Sequence, residues 1–136
     1  MKVWRLFGSE HSANLVMIGR FKEVTDAIKA KEVIDSIITQ VRADEAAGLL
    51  KTGDLPDRYT DGMLELFQRV EVHTIRPEEV EQFSYEVTVK VDGKNVVLTT
   101  EEMDVSVFLK VLIDEGARVE VYSAHKYPGT GYGRGK

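Results

Sequence analysis

Hydrophobic and polar positions along the chain recur with the spacings of strands and helices. Strands are predicted over 2–7 and 13–21, and the second strand contains four consecutive apolar residues at 15–18. An uninterrupted apolar run of this length is typical of a strand that is buried on both faces. The polar segment 8–12 connects the two predicted strands.

A long amphipathic helix is predicted to follow, over 25–47. Its apolar residues recur at steps of three and four, which places them on one face of a helix. Thr25 is the predicted N-cap, and Gly48 is the predicted left-handed residue after the last turn. The apolar stripe consists of Ala27, Ala30, Ile34, Ile37, Ile38 and Val41.

The next segment is predicted to be a helical insertion. Thr60 is the predicted cap of a shorter helix, residues 70–75 resemble a short strand, and Pro77 suits the first position of a helical turn. The shared face of the shorter helix is predicted to contain Met63, Leu64, Phe67 and Val70.

The second half of the chain alternates clearly between apolar and polar residues. A half-buried strand is predicted over 85–91, and Asp92-Gly93 predicts a type I′ turn into a partner strand at 95–99. Thr99 and Glu102 have the spacing of a capping box, so the next helix is predicted to begin at this point. That helix ends at Gly116, and a last strand is predicted over 118–124. The predicted buried face of the helix contains Val105, Phe108, Leu109 and Leu112.

The order of these elements from residue 13 onward predicts an α+β fold of the ferredoxin-like, split β-α-β type. The strand at 2–7 is then an extra N-terminal strand, and residues 49–83 are a helical insertion. In this plan the strand at 13–21 has a neighbour on each side, so it cannot also form a simple hairpin with 2–7. An antiparallel or mixed α+β sandwich of unspecified strand order therefore remains the alternative.

Composition narrows the class of protein further. The chain has 136 residues, which is about one domain. It contains no cysteine, which excludes disulfides, thiolate nucleophiles and cysteine-based metal sites. A net charge of -5 argues against a mainly electrostatic nucleic-acid binder. No targeting segment or membrane-length apolar run is visible, so we expect a cytoplasmic protein with no membrane contact.

The densest polar cluster lies in the segment 8–14. Glu10 and His11 offer acid–base chemistry, and the hydroxyls of this segment offer a nucleophile or an anion donor. Adjacent residues of an extended loop point in opposite directions, so a polar turn with local hydrogen bonds is the alternative. The spacing of the three histidines requires no metal site, and we predict neither a catalytic residue nor a cofactor. The ligand-binding candidates are Ser9, Glu10, His11, Ser12 and Asn14.

Residues 125–136 form a glycine-rich tail that is predicted to lie outside the single domain at 1–124. The tail carries three positive charges and no acid, in contrast to the acidic chain as a whole. It is either a flexible terminus or an arm that docks on a partner, since aromatic and arginine side chains are enriched at protein contacts. Tyr127, Tyr132 and Arg134 are the partner-binding candidates.

The stretch 4–21, in which Gly8-Ser9-Glu10-His11-Ser12 leads into 14–19, resembles a small bacterial protein family that has no known activity. The resemblance extends over most of the chain. It implies a bacterial or phage origin and no particular reaction.

The preferred interpretation is a small binding or assembly module that acts through protein–protein contact. A sheet edge, the segment 8–14 and the tail are the expected contact surfaces, and self-association into a homo-oligomer is expected by analogy with similar folds. One alternative is a small-ligand binder or enzyme that uses Glu10 and His11. A second alternative is an accessory subunit of a bacterial defence or nucleic-acid-processing complex, in which only the tail would contact nucleic acid.

Overall fold

The computed structural model describes residues 14–50, 57–101 and 104–123. The predicted strand at 2–7 and the tail at 125–136 lie outside these residues. The described chain is an α+β fold. Its elements are β1 (Asn14–Arg20), α1 (Val24–Ala46), α2 (Asp61–Val70), a 3-10 helix (Pro77–Ser84), β2 (Thr88–Asp92), β3 (Asn95–Glu101), α3 (Val105–Asp114) and β4 (Arg118–Ser123).

The four described strands form one antiparallel sheet in the order β2-β3-β1-β4. β1 lies in the interior of the sheet, where Ile18 has Val97 of β3 on one side and Glu120 of β4 on the other. The expectation that this strand has two strand neighbours is therefore confirmed.

The helices pack on one face of this sheet. Met17 belongs to the core that the helices share, and a Cβ atom added to Gly19 would lie 3.1 Å from Leu112 of α3. Because side chains alternate along a strand, Val16 and Ile18 point to the opposite face. They are only 9% and 5% exposed, so β1 is buried on both faces, as its apolar run predicts.

Helix α1 confirms the predicted apolar stripe, most of which is fully buried. The N-cap is Glu23 and not Thr25, because the carbonyl of Glu23 already accepts hydrogen bonds from the N–H groups of residues 26 and 27. At the other end Gly48 is left-handed (φ 75°), and the N–H of Leu49 donates to the carbonyl of Asp44 at 2.9 Å. These features are those of a Schellman motif, which satisfies the last carbonyls of the helix.

Helix α2 begins as predicted, since Thr60 Oγ1 accepts a hydrogen bond from the N–H of Met63 at 3.1 Å. Its buried face was only partly predicted: Leu66 is buried beside Met63, whereas Leu64 is 43% exposed. Both leucines fit a helical stripe with the buried residues 63 and 67, and packing against α1 selects the side that contains Leu66.

The predicted strand at 70–75 is wrong. Glu71 has a left-handed backbone (φ 59°), which ends α2 and turns the chain. Val72 and Ile75 are each 1% exposed and anchor the segment to the core without strand pairing. Pro77 does begin a helix, and the N–H of Arg76 donates to Glu79 Oε1 at 2.9 Å.

The hairpin between β2 and β3 differs from the prediction in register and turn type. β2 begins at Thr88 rather than at residue 85, and Asp92 pairs with Asn95, so Gly93 and Lys94 form the turn. Gly93 has a φ of 62°, and Lys94 has no positive φ. A positive φ at the first central residue only is the pattern of a type II′ turn, not of type I′.

The capping box predicted at Thr99 is also wrong. Thr99 pairs with Val16 inside β3, which continues to Glu101, and Glu102 lies outside the described residues. The N-cap of α3 is Asp104. The predicted helix itself is confirmed, but its buried face was only partly predicted. Phe108 and Leu112 are fully buried as expected, whereas Val105 and Leu109 are half-buried, and Val107 and Val111 complete the buried face in their place.

No described helix has the length and apolar character needed to cross a membrane.

Candidate functional site

One end of the sheet, here called the open end, brings together a terminus of each strand. Asn14 at the start of β1 pairs with Glu101 at the end of β3, and Thr88 at the start of β2 pairs with Thr99. Leu15 pairs with the last residue of β4. The chain therefore enters β1 and leaves β4 at the same end of the sheet, where these two strands are neighbours.

A cleft of about 350 Å³ lies at the open end. It is lined from β1, β2, β3 and the residues that precede β2, and it combines hydroxyl, amide and carboxylate side chains with two apolar ones. The lining residues are Asn14, Leu15, Glu86, Val87, Thr88, Thr99, Thr100 and Glu101. The hydroxyls of Thr88 and Thr99 are hydrogen-bonded to each other across the two strands.

A buried carboxylate supports the wall of this cleft. The hydroxyl of Thr100 donates to Asp104 Oδ1 at 2.6 Å, and the N–H of Glu101 donates to the same oxygen at 3.0 Å. Asp104 is fully buried, and its Oδ2 atom has no hydrogen-bond partner in the described structure. The network holds the end of β3 against the start of α3, and it leaves one unused acceptor, which is costly to bury.

Asp44, a second buried carboxylate, uses both of its oxygens in hydrogen bonds. Asp44 accepts from Gln40 Nε2 at 2.9 Å through Oδ1 and from the hydroxyl of Thr60 at 2.6 Å through Oδ2. The bond from Thr60 joins α1 to the start of α2. We interpret Asp44 as a structural group, since both of its oxygens are used within the fold.

A charged pair joins the 3-10 helix to α3. Lys110 Nζ donates to both carboxylate oxygens of Glu79, at 2.7 and 2.9 Å. Burial acts to raise the pKa of Glu79, but the hydrogen bonds from Lys110 and from the N–H of Arg76 outweigh it and lower the pKa. Burial, with the nearby acids Glu78 and Glu79, raises the pKa of Tyr59.

Of the five ligand-binding candidates from the sequence, the structure describes only Asn14. It lies exposed at the rim of the cleft. Ser9, Glu10, His11 and Ser12 lie outside the described residues, and so do the tail candidates Tyr127, Tyr132 and Arg134.

Within 14–50, 57–101 and 104–123 no three or more histidine, aspartate or glutamate side chains are grouped as a metal site would require.

Sequence reasoning missed most residues of the cleft. Alternation placed Glu86 and Thr88 correctly on a polar face, but Thr99 was interpreted as a helix cap and Asp104 was not singled out. The signal that would have found the cleft is the pairing of β2 with β3, which brings Thr88 opposite Thr99.

The chain belongs to a family of unknown function (DUF6375), whose model matches residues 1–134. The resemblance drawn from 4–21 to a family without known activity is thereby confirmed. No curated protein and no solved structure matches the chain.

Proposed function

We propose that this chain is a small binding or assembly module that acts through protein–protein contact at the open end of its sheet. The observation that carries the proposal is the pairing of Leu15 with Ser123. Because of it, the polar segment before Asn14 and the tail after Ser123 join the sheet on neighbouring strands. Two segments with binding chemistry are thus attached side by side, next to the cleft.

The scaffold that we propose is ferredoxin-like. The order β2-β3-β1-β4 with antiparallel pairing supports this topology. Helix α1 packs against β2 and β3, and α3 packs against β1 and β4, which is the layering that two βα units would produce. Helix α2 and the 3-10 helix then occupy the insertion at 49–83.

The chemistry of the two segments favours a protein partner. The tail supplies two tyrosines and three cations, which suit an acidic surface, and aromatic and arginine side chains contribute strongly to protein contacts. Without the three positive charges of the tail, the rest of the chain carries a net charge of -8, which makes it a poor match for the phosphates of nucleic acid.

A chain that ends at Ala124 tests the proposal. We expect it to melt at the same temperature as the full-length chain, because residues 125–136 have no apolar periodicity with which to join the core. It should lose its association, measured by sedimentation of the purified chains and by capture from cell extract. Higher salt should weaken the contact of the full-length chain, since exposed charges are screened over about 8 Å at physiological ionic strength.

A full-length chain with Tyr127→Ala and Tyr132→Ala is the matched control, since it keeps the length and charge of the tail. Loss of folding on truncation would show that the tail is part of the fold. Unchanged folding with unchanged association would overturn the proposed role of the tail.

A small-ligand binder is the second candidate function. The cleft favours it, because the segment with Glu10 and His11 leads directly into Asn14 at the cleft rim. The full-length chain and the chain that ends at Ala124 also distinguish the two candidate functions. A small molecule bound in the cleft would raise the melting temperature of the full-length and truncated chains alike, without changing their association.

A further inference from the structure

The cleft at the open end carries negative charge that the described fold does not neutralise. Glu86 and Glu101 line the cleft, and neither side chain forms an ion pair or a hydrogen bond with a described residue. No lysine, arginine or histidine of the described residues lines it. In the helical layer, by contrast, Glu79 is bound by Lys110. A cleft lined by acids without a cation of its own attracts a positively charged group.

The other walls of the cleft suit the long side chains of a peptide. Leu15 and Val87 supply apolar surface, and Asn14, Thr88 and Thr99 supply amide and hydroxyl groups. Lysine and arginine pack their apolar stems on such surface and direct the charged end to carboxylates. At about 350 Å³ the cleft lies at the small end of ligand sites, so it holds a few side chains and not a folded domain.

The tail is attached beside this cleft. β4 ends at Ser123, which pairs with Leu15 in the cleft wall, and the tail at 125–136 follows. Twelve extended residues span about 40 Å, whereas the sheet measures about 14 Å from β4 to β2 at the usual strand spacing. The tail is therefore long enough to reach every part of the cleft. Covalent attachment gives it an effective concentration in the millimolar range, which favours it over a free cation.

We propose that the tail folds back into the cleft of its own chain, with its cations against Glu86 and Glu101. The three cations and the absence of acids in the tail match the two carboxylates, which have no other partner among the described residues. The proposal rests on the proposed function, and it names how that function is regulated. Because the tail is held by acids of its own chain, an acidic partner binds only by displacing the cleft from the tail.

Disulfide trapping in the full-length chain tests this contact, and the absence of natural cysteines makes the trap specific. Gly133→Cys in the tail is combined either with Thr88→Cys in the cleft or with Asp92→Cys at the other end of β2. Both β2 positions are exposed, and they lie about 13 Å apart, so an undocked tail reaches both. A docked tail should form the disulfide within one chain about tenfold faster at Thr88, measured by non-reducing electrophoresis.

The trap should depend on the charge of the cleft. Glu86→Gln together with Glu101→Gln should remove the preference for the cleft position. Salt at about 1 M should do the same, because it screens exposed charges over about 3 Å. The matched control is Glu32→Gln with Glu65→Gln, which removes the same charge from exposed positions on α1 and α2. This control should leave the preference unchanged.

A labelled poly-glutamate peptide, used as a stand-in for an acidic partner, tests the regulation. Fluorescence anisotropy measures its binding to full-length chains without introduced cysteines. The variant with Glu86→Gln and Glu101→Gln should bind the peptide about three- to tenfold more tightly than the natural chain, because two solvent-accessible ion pairs no longer compete for the tail. The control pair on α1 and α2 should change the affinity much less. Equal gains in the two variants would overturn the regulation of the tail by the cleft.

The outcomes also separate this inference from the proposed function. Equal trapping at Thr88 and Asp92, or trapping that ignores the cleft acids, would overturn the docked tail and leave a protein-contact function standing. Disulfides formed only between chains would do the same, because the tail would then lie in the cleft of a second copy. If trapping follows the cleft acids but truncation at Ala124 leaves association unchanged, the contact between tail and cleft is supported and the proposed function fails.

Discussion

The two faces of the central strand are buried to nearly the same extent, yet they pack against different neighbours. Met17 is fully buried in the core that α1, α2, the 3-10 helix and α3 share. Ile18, the next residue, is 5% exposed and lies outside that cluster of described residues, with Val97 of β3 and Glu120 of β4 as its partners in the sheet. Equally low exposure is therefore reached on two faces that have different neighbours among the described residues, and truncation on each face measures how much that face contributes to stability.

The helical face should be where the largest losses of stability occur. Phe108 on α3 is fully buried, and its ring lies 5.1 Å from that of Phe83 in an edge-to-face arrangement. We expect Phe108→Ala to lower the free energy of unfolding by about 3–5 kcal/mol, through lost transfer energy and a cavity. Urea denaturation measures this value, and an unchanged midpoint would show that α3 does not pack through this face.

Adjacent residues of β1 allow the two faces to be compared directly. We expect Met17→Ala to cost about 3–4 kcal/mol, within the range for truncation in a packed core. Ile18→Ala should cost about 2 kcal/mol, the transfer energy of the lost methyl groups without a large cavity term.

Denaturation of the two variants under the same conditions decides the comparison. Equal costs would mean that the face opposite the helices has a tightly packed core of its own, and the contrast between the faces would fail.

The same contrast explains which elements the sequence could predict. The spacing of apolar residues predicts helices and strands because it reflects which face of each element is buried. This spacing was sufficient to predict the presence of α1, α3 and β1. Both faces of β1 are buried, and the apolar run at 15–18 predicts it. Where two residues fit the spacing equally well, the sequence could not show which of them is buried. Leu64 and Leu66 flank the stripe of Met63 and Phe67 on opposite sides, and only the packing of α2 against α1 decides which of the two is buried.

The open end was harder to predict because its parts are distant in sequence. Asn14 could be singled out from its polar neighbourhood, but Glu101 meets it only through strand pairing. The capping-box pattern at Thr99 is locally sound, and it fails because pairing with β1 extends β3 to Glu101. Asp104 becomes notable only through its burial and its unused Oδ2 atom, neither of which local sequence encodes.

Two glutamates, one on each face, allow the faces to be compared through the pH dependence of stability, where we expect the smallest effect. Glu79 in the helical layer and Glu120 on the opposite face both have a pKa below the usual value near 4.5. For Glu79, hydrogen bonds from Lys110 and from the N–H of Arg76 outweigh the effect of burial. For Glu120 the main cause is its hydrogen bond with Arg20.

A carboxyl whose pKa is lower in the folded chain stabilises the fold above its unfolded pKa, and this contribution is lost as the pH falls through the folded value. We therefore expect Glu79→Gln to reduce the loss of stability between about pH 5 and about pH 3, measured by denaturant midpoints. Glu120→Gln should change this loss of stability at low pH much less, because water and salt screen an exposed ion pair. If the two variants changed it equally, the ion pair of the helical layer would be as accessible to solvent as the one on the opposite face.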